Sequence, residues 1–230
     1  MKDALVNSSY FGLTLSVFIF LLAVEIKARF KLAILNPLLT STVIIVVILA
    51  LCGIPYESYK SSANFLSYLL TPATVCLAIP MYKQLQLLKK NFAAVIISIL
   101  TGTCCSVFGI FLMAKLFALP KEHIASLLPK SITTAIGMGV SEEAGGIVTL
   151  TVVAIIITGI LGNMIAEAVF KIFRINHPIA RGLALGTSAH AVGTAKALEL
   201  GEIEGAMSSL SIVVAGILTV ILVPVVVTFA

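Results

Sequence analysis

Apolar residues gather into long uncharged runs at positions 10–24, 32–56, 61–82, 91–114, 144–166 and 205–230. A helix needs about 20 such residues to cross a bilayer core, so each run is read as a membrane helix. Two further stretches, 127–146 and 181–200, are apolar enough to enter a membrane. Both are rich in Gly, Ser and Thr, the first also holds Pro129, and both carry charge. The first run is followed by Glu25, Lys27, Arg29 and Lys31 with no small-residue cleavage site, and it is expected to be retained.

Basic residues cluster between the runs, at Lys27/Arg29/Lys31, Lys83/Lys89/Lys90 and Lys171/Arg174/Arg181. Placing all three clusters on the cytoplasmic side follows the positive-inside rule. That orientation makes 127–146 enter and leave from the outer face, while 181–200 crosses. The pattern therefore predicts an all-α polytopic protein, a single integral membrane domain over 1–230 with about seven transmembrane helices and one re-entrant segment.

An offset of 57 aligns Pro72, Pro129 and Gly186, then Thr74, Ser131 and Ser188, and then Gly102, Gly159 and Gly216. Doubling it relates residues 34–117 to 148–230 in opposite orientations. An inverted repeat of this kind marks secondary transporters built around broken helices.

Composition narrows the class. Of the 230 residues, 60% are hydrophobic and only 11% charged, too few charges to cover a water-soluble globule. The net charge of +5 belongs to the loops that orient the helices, so no nucleic acid is expected. Cys52, Cys76, Cys104 and Cys105 lie in apolar runs without a metal-ligand spacing, and neither metal nor cofactor is expected. No phosphate-cradling GxxxxGK[ST], GxSxG or HExxH occurs, which argues against an ATP-driven pump or a hydrolase. The protein is not expected to be an enzyme.

Three polar stretches carry the candidate chemistry. Pro72 and Pro80 interrupt the hydrogen-bond ladder of one run, beside Thr74. Pro129, Lys130, Ser131 and Thr133 open a second stretch, which ends at Gly145 and Gly146. A cation beside hydroxyls near a helix start suits an anion. In the third, Gly182, Gly186, His190, Gly193 and Ala197 share one helical stripe, with Ser188 and Thr194 nearby. An ionisable residue at that depth is expensive and marks function, so His190 is the expected proton-sensitive group. The plain structural alternatives are a kinked helix, a solvated lysine at a cap, and a neutral histidine bonded to a neighbouring helix. Helix breaks are expected at Pro72, Pro80, Pro129, Gly145, Gly146, Gly186 and Gly193, and substrate contacts at Thr74, Lys130, Ser131, Thr133, Ser188, His190 and Thr194. Small-residue faces at Gly102/Gly109 and Gly159/Asn163 suggest close helix packing, either within one chain or between the two copies of a homodimer.

These residues also carry a resemblance. Thr71-Pro72-Ala73-Thr74-Val75 with Ala78-Ile79-Pro80-Met81-Tyr82-Lys83, Leu128-Pro129-Lys130-Ser131-Ile132-Thr133-Thr134, and Arg181-Gly182-Leu183-Ala184-Leu185-Gly186-Thr187 with His190 and Gly193-Thr194-Ala195 resemble the LrgB/CidB family from about Asn36 onward. The likeness implies a multi-pass protein of the bacterial cytoplasmic membrane. It implies one of two roles. The first is secondary transport of small 2-hydroxy or 2-oxo monocarboxylates, of the pyruvate, glycolate or glycerate type, with proton linkage. The second is holin- or antiholin-like control of murein hydrolase export and autolysis. Both imply a small LrgA/CidA-type membrane partner. The chain departs from the family at Ile136-Gly137-Met138-Gly139 and at Ala191, where Gly is expected.

Overall fold

The computed structural model describes Ser8, residues 10–30 and residues 35–230; the side chains of Leu70, Thr71 and Thr74 stand outside the described residues, as do Lys2, Asp3, Lys31 and residues 32–34. The described residues are helical, with no strand among them. They form two compact units that meet in sequence between Cys76 and Leu77.

The first unit begins with α1 (Phe11–Phe30) and α2 (Pro37–Cys52). Asn36 starts α2 by accepting the Leu38 N–H, 2.9 Å, and Pro37 costs nothing at a first helical position. Gly53 ends it with a φ of 58°. Next come α3 (Tyr56–Ala63), a 3-10 turn (Asn64–Leu69) and α4 (Leu70–Cys76). α3 lies on α1, where Ser62 Oγ accepts the Gly12 N–H at 2.8 Å and Ser16 pairs with Tyr59 Oη at 2.7 Å.

The second unit holds α5 (Ala78–Lys83), α6 (Leu85–Lys90), α7 (Phe92–Leu116), α8 (Lys121–Leu127), α9 (Thr134–Glu143), α10 (Val148–Ile172), α11 (Pro178–Leu200) and α12 (Glu202–Val227). Pro72 and Pro80 are the third residues of α4 and α5, inside a first turn whose N–H groups lack intrahelical partners anyway. The run 61–82 is accordingly a string of short helices, and neither proline sits in the middle of a long one.

Among the described residues four helices are long and apolar enough to cross a membrane: α1, α7, α10 and α12. The outer faces of α7 and α10 carry exposed Ile97, Leu112, Ile156 and Ile157, as lipid contact requires. α12 is the most enclosed of the four. One of its ends packs with Val107, Ile124, Leu128 and Val140 around Val223 and Val226. The other packs with Val95, Ile99 and Leu183 around Ala206 and Met207. α9, ten residues long, rises only about 15 Å, half a bilayer core.

Small residues let the backbones approach. A side chain at Gly182 or Gly186 on α11 would run into the α12 backbone at Glu204 and Ser208. Between α9 and α10, Gly145 takes a φ of 75°. Ser126 Oγ then accepts the Ile147 N–H at 2.7 Å, and Ser141 accepts from Thr151 at 2.6 Å.

Candidate functional site

Hydroxyl and small residues recur every fourth position along three helices of the second unit. Ser98, Gly102 and Ser106 do so on α7, Thr158, Gly162 and Ala166 on α10, and Ala180, Ala184 and Ser188 on α11. Residues four apart share a helix face. The three faces line an open-sided cavity of about 720 Å³, completed by Lys130 and Ser131 from the turn after α8.

Lys130 Nζ donates to Ser131 Oγ at 3.2 Å, and Ser131 pairs with Ser106 Oγ at 2.9 Å. Lys130 is half-buried, and no carboxylate among the described residues pairs with it. A smaller void of about 10 Å³ adjoins this end, with Thr103, Ser106, Ser131, Thr187 and Thr219 around it. The buried Thr103 hydroxyl has no protein partner among the described residues, and the void has about the volume that one water needs. Thr187 spends its proton on Leu183 O and Thr219 on Ala215 O, so both turn lone pairs outward.

The cavity changes character along its length. From Thr158 to Phe170 α10 rises about 18 Å. The Thr158 end holds Lys130 and the hydroxyls of Ser106, Ser131, Thr187 and Ser188. The other end is walled by Ile165, Ala166, Val169, Phe170, Ala180 and Leu183. Arg181 stacks over the Phe170 ring at 5.7 Å and donates to Ile175 O at 2.7 Å, beside the loop that carries Arg174.

Of the residues singled out in the sequence, Lys130, Ser131 and Ser188 line the cavity. Thr133 is half-buried, immediately before α9, and lies outside the cavity lining. Nothing is described of the Thr74 side chain. His190 and Thr194 are buried, and they meet each other rather than the cavity. Pro129, Gly145 and Gly146 occupy the turns that flank α9. Gly186 and Gly193 do not break their helix: both keep helical backbone and serve close packing. The interruption in α11 falls at His190, with φ 44° and ψ −134° between two helical halves.

That interruption is sealed. His190 Nε2–H donates to Ile155 O at 3.0 Å, and its ring lies over Gly159, where an added Cβ would stand 2.8 Å from Cε1. Broken helices free backbone carbonyls that must find donors. Thr194 Oγ1 donates to His190 O at 3.1 Å while pairing with Ser208 Oγ on α12 at 2.7 Å. Asn163 Nδ2 donates to Val192 O at 3.2 Å. Beyond the break, Lys196 pairs with Glu167 on α10 at 2.5 Å and with Glu199 at 3.2 Å.

Ser98, Ser106, Thr158 and Thr187 line the cavity and were not expected to. Their signal is the four-residue spacing of small and hydroxyl residues inside runs that otherwise read as lipid-facing. A profile described as "LrgB-like family" matches residues 16–229. A protein of Bacillus subtilis (strain 168) named "Uncharacterized protein YwbG" is 41% identical over 218 residues, 95% of this chain and 97% of its own length. No solved structure matches the chain.

Proposed function

The chain belongs to the LrgB-like family, and from that premise we propose that it is a secondary transporter of small 2-hydroxy or 2-oxo monocarboxylates of the pyruvate, glycolate and glycerate type. The observation that carries the reading is Lys130. It is a half-buried ammonium at a cavity wall, without a carboxylate partner among the described residues and beside the hydroxyls of Ser106 and Ser131. A charge held inside a membrane protein is costly unless something compensates it. A substrate carboxylate does so; Ser131 and Thr158 can donate to the adjacent hydroxyl or keto oxygen, while Thr187 and Ser188, whose protons go to Leu183 O and Ala184 O, can accept from a 2-hydroxyl.

The order of elements supports transport over a plain pore. Short or broken helices precede each of the long helices α7, α10 and α12. Broken helices beside a polar cavity suit alternating access in an inverted repeat of 34–117 and 148–230. On this reading 127–146 is re-entrant, seven helices cross a bacterial cytoplasmic membrane, and the protein works as a homodimer with an LrgA/CidA-type partner. Proton linkage runs through the Lys130 end, because His190 is not among the residues that line the cavity.

The test is uptake of labelled pyruvate, glycolate and glycerate into proteoliposomes, with and without a pH gradient and with and without the partner. Saturable uptake that Lys130→Met lowers about 10- to 100-fold is the expected result. No uptake above empty liposomes in any arm would overturn the proposal and favour control of murein hydrolase release, for which dye leakage from loaded vesicles is the direct assay.

A further inference from the structure

A three-carbon acid needs only the Lys130 end of the cavity, and the rest calls for another occupant. At about 720 Å³ the cavity falls within the range, roughly 300–1,000 Å³, that holds drug-sized ligands. Apart from Ser98, whose proton goes to Ala94 O, its far end is apolar over several helical turns, with Ile165, Val169 and Phe170 on one side and Ala180 and Leu183 on the other. Cation and hydroxyls at one end, aliphatic and aromatic walls at the other, form the complement of an amphipathic anion.

We infer that the cavity binds monocarboxylates bearing an unbranched aliphatic tail, with the carboxylate at Lys130 and the tail lying along α10 toward Phe170. The inference rests on the transport reading and extends its substrate class from the shortest 2-oxo acids to their longer-chain homologues. The occupant is fixed by charge complementarity at one end. A neutral lipid chain would leave Lys130 uncompensated, and a polar acid without a tail would leave the apolar walls unused.

Two positions act as a ruler. Ala180 and Ala184 sit one turn apart on the α11 face of the cavity, and both are exposed, so a larger side chain can be placed there without entering the core. Ala184 lies nearer Ser188 and the charged end. A bulky residue at Ala184 therefore truncates the tail site sooner than one at Ala180.

The experiment measures binding to purified full-length protein by thermal stabilisation, and competition against labelled pyruvate uptake in proteoliposomes. The probes are pyruvate, 2-oxobutanoate, 2-oxohexanoate and 2-oxooctanoate. Each buried methylene is expected to tighten binding about fourfold. Ala180→Phe should remove the gain for 2-oxooctanoate while keeping it for 2-oxobutanoate. Ala184→Phe should remove it for 2-oxohexanoate as well, and in both variants pyruvate should be the acid whose binding changes least. Affinity flat across the series, with pyruvate still transported, overturns the inference and leaves the transport reading standing. Absence of binding and uptake for every acid overturns the transport reading itself. Equal stabilisation by octanol, insensitive to Lys130→Met, shows a site for lipid chains and also overturns the inference. So does oxidative cross-linking between copies at Ala184→Cys, in a background with the four native cysteines changed to alanine, because a second copy then covers the groove.

Discussion

Two interruptions in the second unit have opposite fates. The one between α8 and α9, around Pro129 and Lys130, opens on the cavity and leaves an ammonium facing it. The one inside α11, at His190, is closed on every side that the structure describes: by Ile155 O, by Gly159, by Asn163 and by the Thr194–Ser208 pair. A helix break at membrane depth is tolerated where it is buried in protein or lines a wet space. This protein uses both solutions within one unit. An ionisable side chain beside a break is therefore no sure mark of a binding group, because its surroundings decide.

Substitutions at four positions test that contrast. The largest effect is expected from Gly159→Leu, which puts a side chain where the His190 ring lies. Overpacking together with loss of the bond to Ile155 O should cost about 2–6 kcal/mol and abolish a monodisperse peak in size-exclusion chromatography. Normal folding of that variant would show that the break is loosely held. Lys130→Met comes next: the loss of a charged hydrogen bond to substrate should lower uptake about 10- to 100-fold, without a fall in melting temperature. A variant that unfolds instead would turn the open interruption into a second structural seal.

The third test separates backbone from ring. His190→Ala and His190→Gly both lose the bond to Ile155 O, but only glycine takes a positive φ without strain. His190→Gly should therefore be about 1–2 kcal/mol the more stable of the two by thermal unfolding. Equal stabilities would mean that the break relaxes in the variants. The smallest effect is expected from Thr194→Val, which removes the hydroxyl pair with Ser208 for about 1 kcal/mol and should leave the pyruvate concentration dependence of uptake unchanged.

The membrane class and the helical fold were legible, because apolar runs of bilayer length with few charges leave no other packing. Lys130, Ser131 and Ser188 were legible as well, since a cation and hydroxyls close to proline and glycine stand out against an apolar background. The break at His190 was not. Neither Gly nor Pro occupies that position, and Ala189, Ala191 and Ala195 favour an uninterrupted helix. The backbone there is set by partners 31 to 35 residues away in α10, Gly159 and Ile155, and local preference does not register them. Gly186 and Gly193 misled for the same reason, because glycine signals close approach as readily as it signals a bend.

α12 has a further consequence. α5, α7, α8, α9 and α11 all pack on it, yet it follows every one of them in the chain. Domains form in the order in which the ribosome delivers them, so the glycine-lined face of α11 and the face of α7 that carries Val95, Ile99 and Val107 enter the bilayer before the helix that covers them exists. For those seconds of synthesis the unit is an unfinished bundle, and a ribosome that stalls before Glu202 leaves a product that quality-control proteases should recognise.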